Sequence, residues 1–207
     1  MGTRERRMRE KGRRRMQILN AARRLFRQRG YEGTTMPAIA QAAELAPGTL
    51  YLYFPSKPAL YVELLNEGYE MLITRLKEAA ADEAVPRRQA EALTDAFMNF
   101  ALEHPDYFDI IFFVLQGERR MVHELPARGG LMESLRAHES ACKEIAAGIL
   151  KRARPKDSST ERARKVEAVW SMLAGVVLYF VRDDPDVFKS VADEAREIIL
   201  RAVFPER

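Results

Sequence analysis

Apolar residues recur along this chain at the three-to-four-residue spacing of amphipathic helices, with no run of alternating β-branched residues bounded by tight turns. An all-α fold is predicted. Ile18, Ala22, Leu25 and Phe26 share one face and Arg14, Arg15, Arg23, Arg24 and Arg27 lie largely on the others, so a first helix is expected from Met16 to a C-terminal cap at Gly30. Thr35 is placed to cap a short second helix, Met36 to Ala43, with Pro37 in its first turn and no capping-box acid, since Ala38 occupies that position. A third begins at Pro47 and stops near Phe54, ahead of Pro55. Ser56 caps a longer helix carrying Leu60, Leu64, Leu65 and Leu72 towards Ala81.

Beyond it, Pro86 opens a helix with Leu93, Phe97, Phe100 and Ala101 on one face, ending near His104. A short aromatic helix over about Asp106 to Leu115 follows, then a flexible stretch from Glu124 to Gly130 and a long helix to about Arg154. Ser158 with Glu161 forms a capping box for a helix bearing Val166, Val169, Trp170, Leu173, Val177 and Phe180. Asp184 and Pro185 start the last helix, with Val191, Ile198, Ile199 and Ala202 apolar.

Charge divides the chain more sharply than composition does. Residues 1–30 hold twelve Lys/Arg against two Glu, a net of +10, and the rest holds 22 against 28, a net of −6. A segregated basic end suits a polyanion, and the acidic remainder discourages indiscriminate coating of nucleic acid. The longest uncharged stretches are too short for a membrane span, and the arginine-rich start is followed by no apolar signal region. A single cysteine, Cys142, can form no internal disulfide and build no metal site alone, so a cytoplasmic location is the expectation.

The segment 16–65, MQILNAARRLFRQRGYEGTTMPAIAQAAELAPGTLYLYFPSKPALYVELL, resembles the DNA-binding domain of the tetracycline-repressor (TetR) family. The likeness rests on ordered pieces: a helix closing on Leu25-Phe26, the Gly30-Tyr31 turn, Thr34-Thr35, Ile39-Ala40, Gly48, Leu50-Tyr51, Phe54 and Ser56-Lys57. It implies a basic N-terminal arm over 1–15, a three-helix helix-turn-helix domain over 16–60 and a helical effector-binding and dimerisation domain over 61–207. The third helix suits a major groove, with small residues at its leading end and hydroxyls along it. Leu50 and Phe54 would face inward. The resemblance assigns Thr35, Gly48, Thr49, Tyr51, Tyr53 and Lys57 to DNA contact, with Thr35 and Lys57 on phosphate. Pro47 stands where many relatives carry lysine or another polar residue, and Tyr53 replaces a more usual histidine. Thr34 reads as a turn residue.

The same resemblance implies a small-molecule site and a homodimer formed by the last two long helices. The segment His104 to Phe113 is similar to one in multidrug- and lipid-responsive relatives. An apolar pocket is expected from Phe97, Phe100, Tyr107, Phe108, Ile111, Phe112, Leu135, Cys142 and Trp170, with Met132 and Phe113 nearby. The dimer seam is expected to include Val169, Leu173, Val177 and Ile198. The function implied is a transcriptional regulator, by family habit a repressor, that binds a palindromic double-stranded DNA operator as a dimer and is released by a small, largely apolar effector, without a cofactor.

An enzyme is the first rival. His104, His123 and His138 lack metal-ligand spacing, Glu118 with His123 makes no recognisable constellation, and no phosphate loop or serine elbow occurs. The second rival is a helical adaptor or membrane-surface protein without specific DNA binding. Its basic segment lacks the bulky apolar face of an interfacial helix.

Overall fold

The computed structural model describes residues 3–81, 83–116, 131–180 and 184–204. Among them every regular element is a helix: α1 (Thr3–Arg29), α2 (Met36–Ala42), α3 (Pro47–Tyr53), α4 (Lys57–Ala81), α5 (Pro86–Glu103), α6 (Pro105–Gln116), α7 (Leu131–Ala153), α8 (Ser159–Phe180) and α9 (Pro185–Val203). The all-α expectation holds. Glu118 and His123 lie outside the described residues, as do the side chains of Phe113, Met132 and Leu135.

Local chemistry explains the helix ends. The Thr35 hydroxyl accepts the Ala38 amide at 3.3 Å and the Ser56 hydroxyl accepts the Ala59 amide at 3.2 Å. Ser158 and Glu161 exchange the two bonds of a capping box, amide to carboxylate at 2.7 Å and amide to hydroxyl at 3.2 Å. Those bonds hold the Glu161 carboxyl below its ordinary range.

The helix predicted from Met16 begins instead at Thr3. Residues 4–13 are exposed and have no apolar period to announce a helix, but arginine, lysine and glutamate are strong helix formers and no proline intervenes. Glu10 accepts from Arg14 at 2.9 Å, in the favourable acid-before-base order. The basic segment is therefore a helical extension of α1.

The chain divides into two compact units. One comprises the described residues of Met1–Gly68 and Asp109–Leu131, the other those of Tyr69–Phe108 and Met132–Arg207. In the first, α1 packs on α2 and α2 on α3. Ile18 and Ala22 of α1, Ile39 and Ala40 of α2, Leu50 of α3 and Leu60 and Leu64 of α4 are fully buried there. Phe26, Tyr31 and Tyr61 form an aromatic triangle with centroids 5.1–5.6 Å apart. In the second unit α5, α8 and α9 pack on one another. Its buried Gln89 is satisfied at both ends, donating to the Ala80 carbonyl at 2.7 Å and accepting from Arg152 at 2.5 Å.

Two turn positions carry opposite conformational demands. A Cβ on Gly33 would fall far inside van der Waals distance of the Arg29 carbonyl oxygen, so only glycine fits. Glu44, between α2 and α3, sits in the left-handed region at φ 54, where its own Cβ is unfavourable. Gly33→Ala should therefore destabilise the protein by about 1–3 kcal/mol in urea unfolding. Glu44→Gly should stabilise it by about 0.5 kcal/mol, the relief of left-handed strain exceeding the entropy of the freer unfolded chain.

Candidate nucleic-acid interface and apolar cavity

The α3 helix is only seven residues long, and one side of it is anchored. Leu50 and the following Phe54 are buried, so Gly48, Tyr51 and Leu52 are left exposed. This is the inward and outward division expected from the sequence for Leu50, Phe54 and Tyr51. Thr49 and Tyr53 are half-buried. No atom lies within 4 Å of a Cβ built on Gly48, so the chain's own packing does not require glycine there. The open space lies in front of the helix, where an external surface would have to approach.

The elements around α3 fix it from three directions. Gln17 of α1 donates to the Ala43 carbonyl at 2.8 Å, at the turn that leads into α3. The Arg15 guanidinium lies 5.4 Å from the Phe54 ring centroid and pairs with Glu63 of α4. Lys57, at the start of α4, donates to the Tyr31 carbonyl at 2.8 Å and sits 4.1 Å from that ring's centroid. An ammonium has three protons, so this tie leaves donors for an anion. Thr35 is exposed at the start of α2 and uses its oxygen as acceptor, keeping its hydroxyl proton for another partner. Thr34 instead is buried and donates to the Gly30 carbonyl at 2.7 Å, a turn role.

From Arg15, which meets Phe54, the α1 helix continues back towards Thr3 as a cationic extension. Arg4, Arg7, Lys11 and Arg14 recur at helical spacing and prolong the line of Ile18, Ala22 and Leu25. Arg6, Arg9 and Arg13 fall on the other side. Such charge density on a rigid rod is suited to a polyanion backbone.

The second unit holds a cavity of about 70 Å³ lined from α4, α5, α7, α8 and α9. Of the nine residues expected to form a pocket, Phe97, Cys142 and Trp170 line it. Phe100, Tyr107, Phe108, Ile111 and Phe112 are buried and are not among the residues that line it. Phe108 meets Phe97 edge-on at 5.8 Å, directly behind the wall, and Trp170 meets Phe97 at 5.2 Å. Leu135 lies outside the described side chains. The aliphatic wall, including Leu76, Leu93, Ile149 and Val203, was not foreseen from the sequence.

Among the described residues no charged side chain lines the cavity. The Thr94 hydroxyl is already given to the Ala90 carbonyl at 2.9 Å. Burial, then the nearby Glu139 carboxylate, pushes the Cys142 thiol up to about 12, so it is a neutral apolar neighbour rather than a nucleophile. The described wall is mostly hydrocarbon, which suits an apolar ligand.

The residues expected at a dimer seam separate. Leu173 and Val177 are buried within their own chain, whereas Val169 lines the cavity and is half-buried. Ile198 is 47% exposed. The outward apolar positions of α8 are Met172 and Tyr179, 40% and 77% exposed, and those of α9 include Val187. Among the described residues no His/Cys/Asp/Glu group could hold a metal ion, and no helix is long and apolar enough to cross a membrane.

Residues 18–64 match the family described as bacterial regulatory proteins, tetR family, and residues 90–203 match the tetracyclin repressor-like C-terminal domain. YuxN, an uncharacterised HTH-type transcriptional regulator of Bacillus subtilis (strain 168), is 32% identical over 93 residues, covering 45% of this chain and 32% of that protein. The chain thus spans about a third of that curated relative's length in the match. The crystal structure of PfmR, a TetR-family regulator of Thermus thermophilus, superposes with TM-score 0.73 at 26% identity, covering 92% of this chain and 99% of PfmR. AibR, solved with isovaleryl coenzyme A and operator DNA, has TM-score 0.73 at 19% identity, covering 94% and 100%, a likeness of fold. With the C-terminal match alone spanning over half its length, the chain belongs to the tetR family of bacterial regulatory proteins, transcriptional regulators rather than enzymes.

Proposed function

We propose that this chain is a cytoplasmic transcriptional repressor that binds a palindromic operator as a homodimer and is released by a small, largely apolar effector. The observation that carries this reading is the presentation of α3: anchored by Leu50 and Phe54, uncovered at Gly48, Tyr51 and Leu52, and flanked by the cationic α1. A short helix held so firmly, with its outer face bare, fits a major groove. Thr35, Thr49, Tyr51, Tyr53 and Lys57 would supply hydroxyl and ammonium donors to phosphates and base edges, and Gly48 would permit close approach. AibR, of the same fold, was solved with operator DNA and an acyl thioester. By analogy the cavity would take the hydrocarbon part of an effector, with any polar head outside it.

The DNA assignment is tested by titrating the full-length protein with a duplex it selects from its own genome. Gly48→Ala should keep or slightly raise the unfolding midpoint, since nothing in the chain crowds that helical position, and weaken operator binding on the order of tenfold, about 1.4 kcal/mol. Removing residues 3–14 should weaken all duplexes alike and flatten the salt dependence by roughly 0.9 for each phosphate that is no longer neutralised. Unchanged binding by both variants would refute the surface.

A twofold partner would present two α3 helices at the spacing of successive major grooves, roughly 34–36 Å. With Leu173 and Val177 buried, the seam would use Ile198 and the half-buried Val169 with Met172, Tyr179 and Val187. Ile198→Asp or Tyr179→Asp should yield folded monomers with weakened operator binding. Leu173→Asp should instead cost about 3 kcal/mol or more of stability, because the charge enters the core. Sedimentation and thermal unfolding separate these outcomes, and a monomeric wild type at micromolar concentration would exclude the dimer.

For the effector, operator and ligand must compete thermodynamically if one releases the other. A coupling of about 1–3 kcal/mol corresponds to 5- to 150-fold, and operator DNA must weaken effector binding by the same factor. Calorimetry with short-chain and branched acyl thioesters measures this directly. Equal affinity with and without operator would refute release. Occupation of the cavity should also slow the already slow labelling of Cys142 by a thiol reagent.

A further inference from the structure

Leu52 is 84% exposed, the highest value among the large apolar side chains that stand exposed in the described residues. Its position, more than its exposure, is informative, since single surface leucines are common. At about 100° per residue it points nearly opposite to Leu50, which is fully buried, so it stands at the outermost line of α3. Gly48 lies one turn before it on the same side, with open space in front, and Tyr51 stands beside it, 49% exposed. Leucine contributes nothing to the fold from this position, because no neighbouring element covers it.

A leucine on the leading line of a groove-entering helix has narrow chemical options. It can neither donate nor accept, so pressed against a base edge carrying only donors and acceptors it would leave those groups desolvated and unsatisfied. The major groove displays one apolar group, the C5-methyl of thymine. We propose that Leu52 reads thymine: in each half-site its side chain packs on the C5-methyl of one base pair, and the preference for that pair comes from apolar contact rather than hydrogen bonding. This rests on the reading of α3 as the groove helix and adds the base it recognises. The residues expected from the sequence to meet DNA were Thr35, Gly48, Thr49, Tyr51, Tyr53 and Lys57, and Leu52 was not among them.

Uracil tests this because it differs from thymine by the methyl alone. With the full-length protein and the operator it selects, each thymine of a half-site is replaced in turn by uracil, and binding is measured for wild type and Leu52→Ala. Burial of one methyl is worth about fourfold, so one position should show a loss of about fourfold in wild type, and about fifteenfold when both half-sites are changed. Leu52→Ala should bind the thymine operator more weakly and lose the distinction between thymine and uracil at that position only. Its unfolding midpoint should equal that of wild type, since the side chain is uncovered. If Leu52→Ala keeps the wild-type thymine-to-uracil ratio at every position, or weakens all duplexes equally, the assignment fails while operator binding stands. If no thymine methyl matters to wild type, it fails in the same way. If wild type selects no duplex, the groove-helix reading fails with it.

Discussion

The unit that carries α3 depends on the aromatic triangle of Phe26, Tyr31 and Tyr61. Phe26 ends α1, Tyr31 belongs to the turn that follows, and Tyr61 lies one turn into α4. Three rings in mutual contact fix the angle between those elements, and α3 is suspended between them by Phe54 and Leu50. Lys57 adds a tie to the Tyr31 carbonyl and ring. The Tyr61 hydroxyl, buried at the other end, donates to the Ile110 carbonyl of α6 at 2.7 Å. A buried hydroxyl must find a partner, and a carbonyl with a spare lone pair provides one without breaking the helix.

Most of the fold was legible because its signals are local. Thr35, Ser56, the Ser158–Glu161 pair and Asp184 announce helix starts through bonds between residues at most three apart in the chain. The inward turn of Leu50 and Phe54 follows from their spacing of four. The extension of α1 was hidden, because a helix exposed on all sides has no apolar period and is held by propensity and by pairs such as Glu10–Arg14.

The sites were less legible for a different reason. A helix buried on most of its circumference carries apolar residues on several faces, and periodicity cannot say which face meets its own chain. In α8 Leu173 and Val177 turned inward, and Met172 and Tyr179 outward, though both pairs have helical spacing. The aromatic run Tyr107 to Phe112 likewise resembles a pocket lining, yet Tyr107, Phe108, Ile110, Ile111 and Phe112 are buried and none of them lines the cavity. Leu52 escaped notice because leucine is read as core, and only its exposure sets it apart.

The size of the cavity constrains how a ligand can act. A space of about 70 Å³ is well below the roughly 300–1,000 Å³ of drug-sized sites, so an effector of more than a few carbons has to move the wall. The wall's movable members are Phe97 and Trp170, and Phe97 is braced edge-on by Phe108 of α6. Interiors packed as tightly as crystals transmit such displacement rather than absorb it. A ligand small enough to fit without moving Phe97 would bind the two states equally and shift nothing, however tight. Effectiveness in release should therefore rise with chain length beyond the volume the resting cavity offers, even where affinity for the free protein does not.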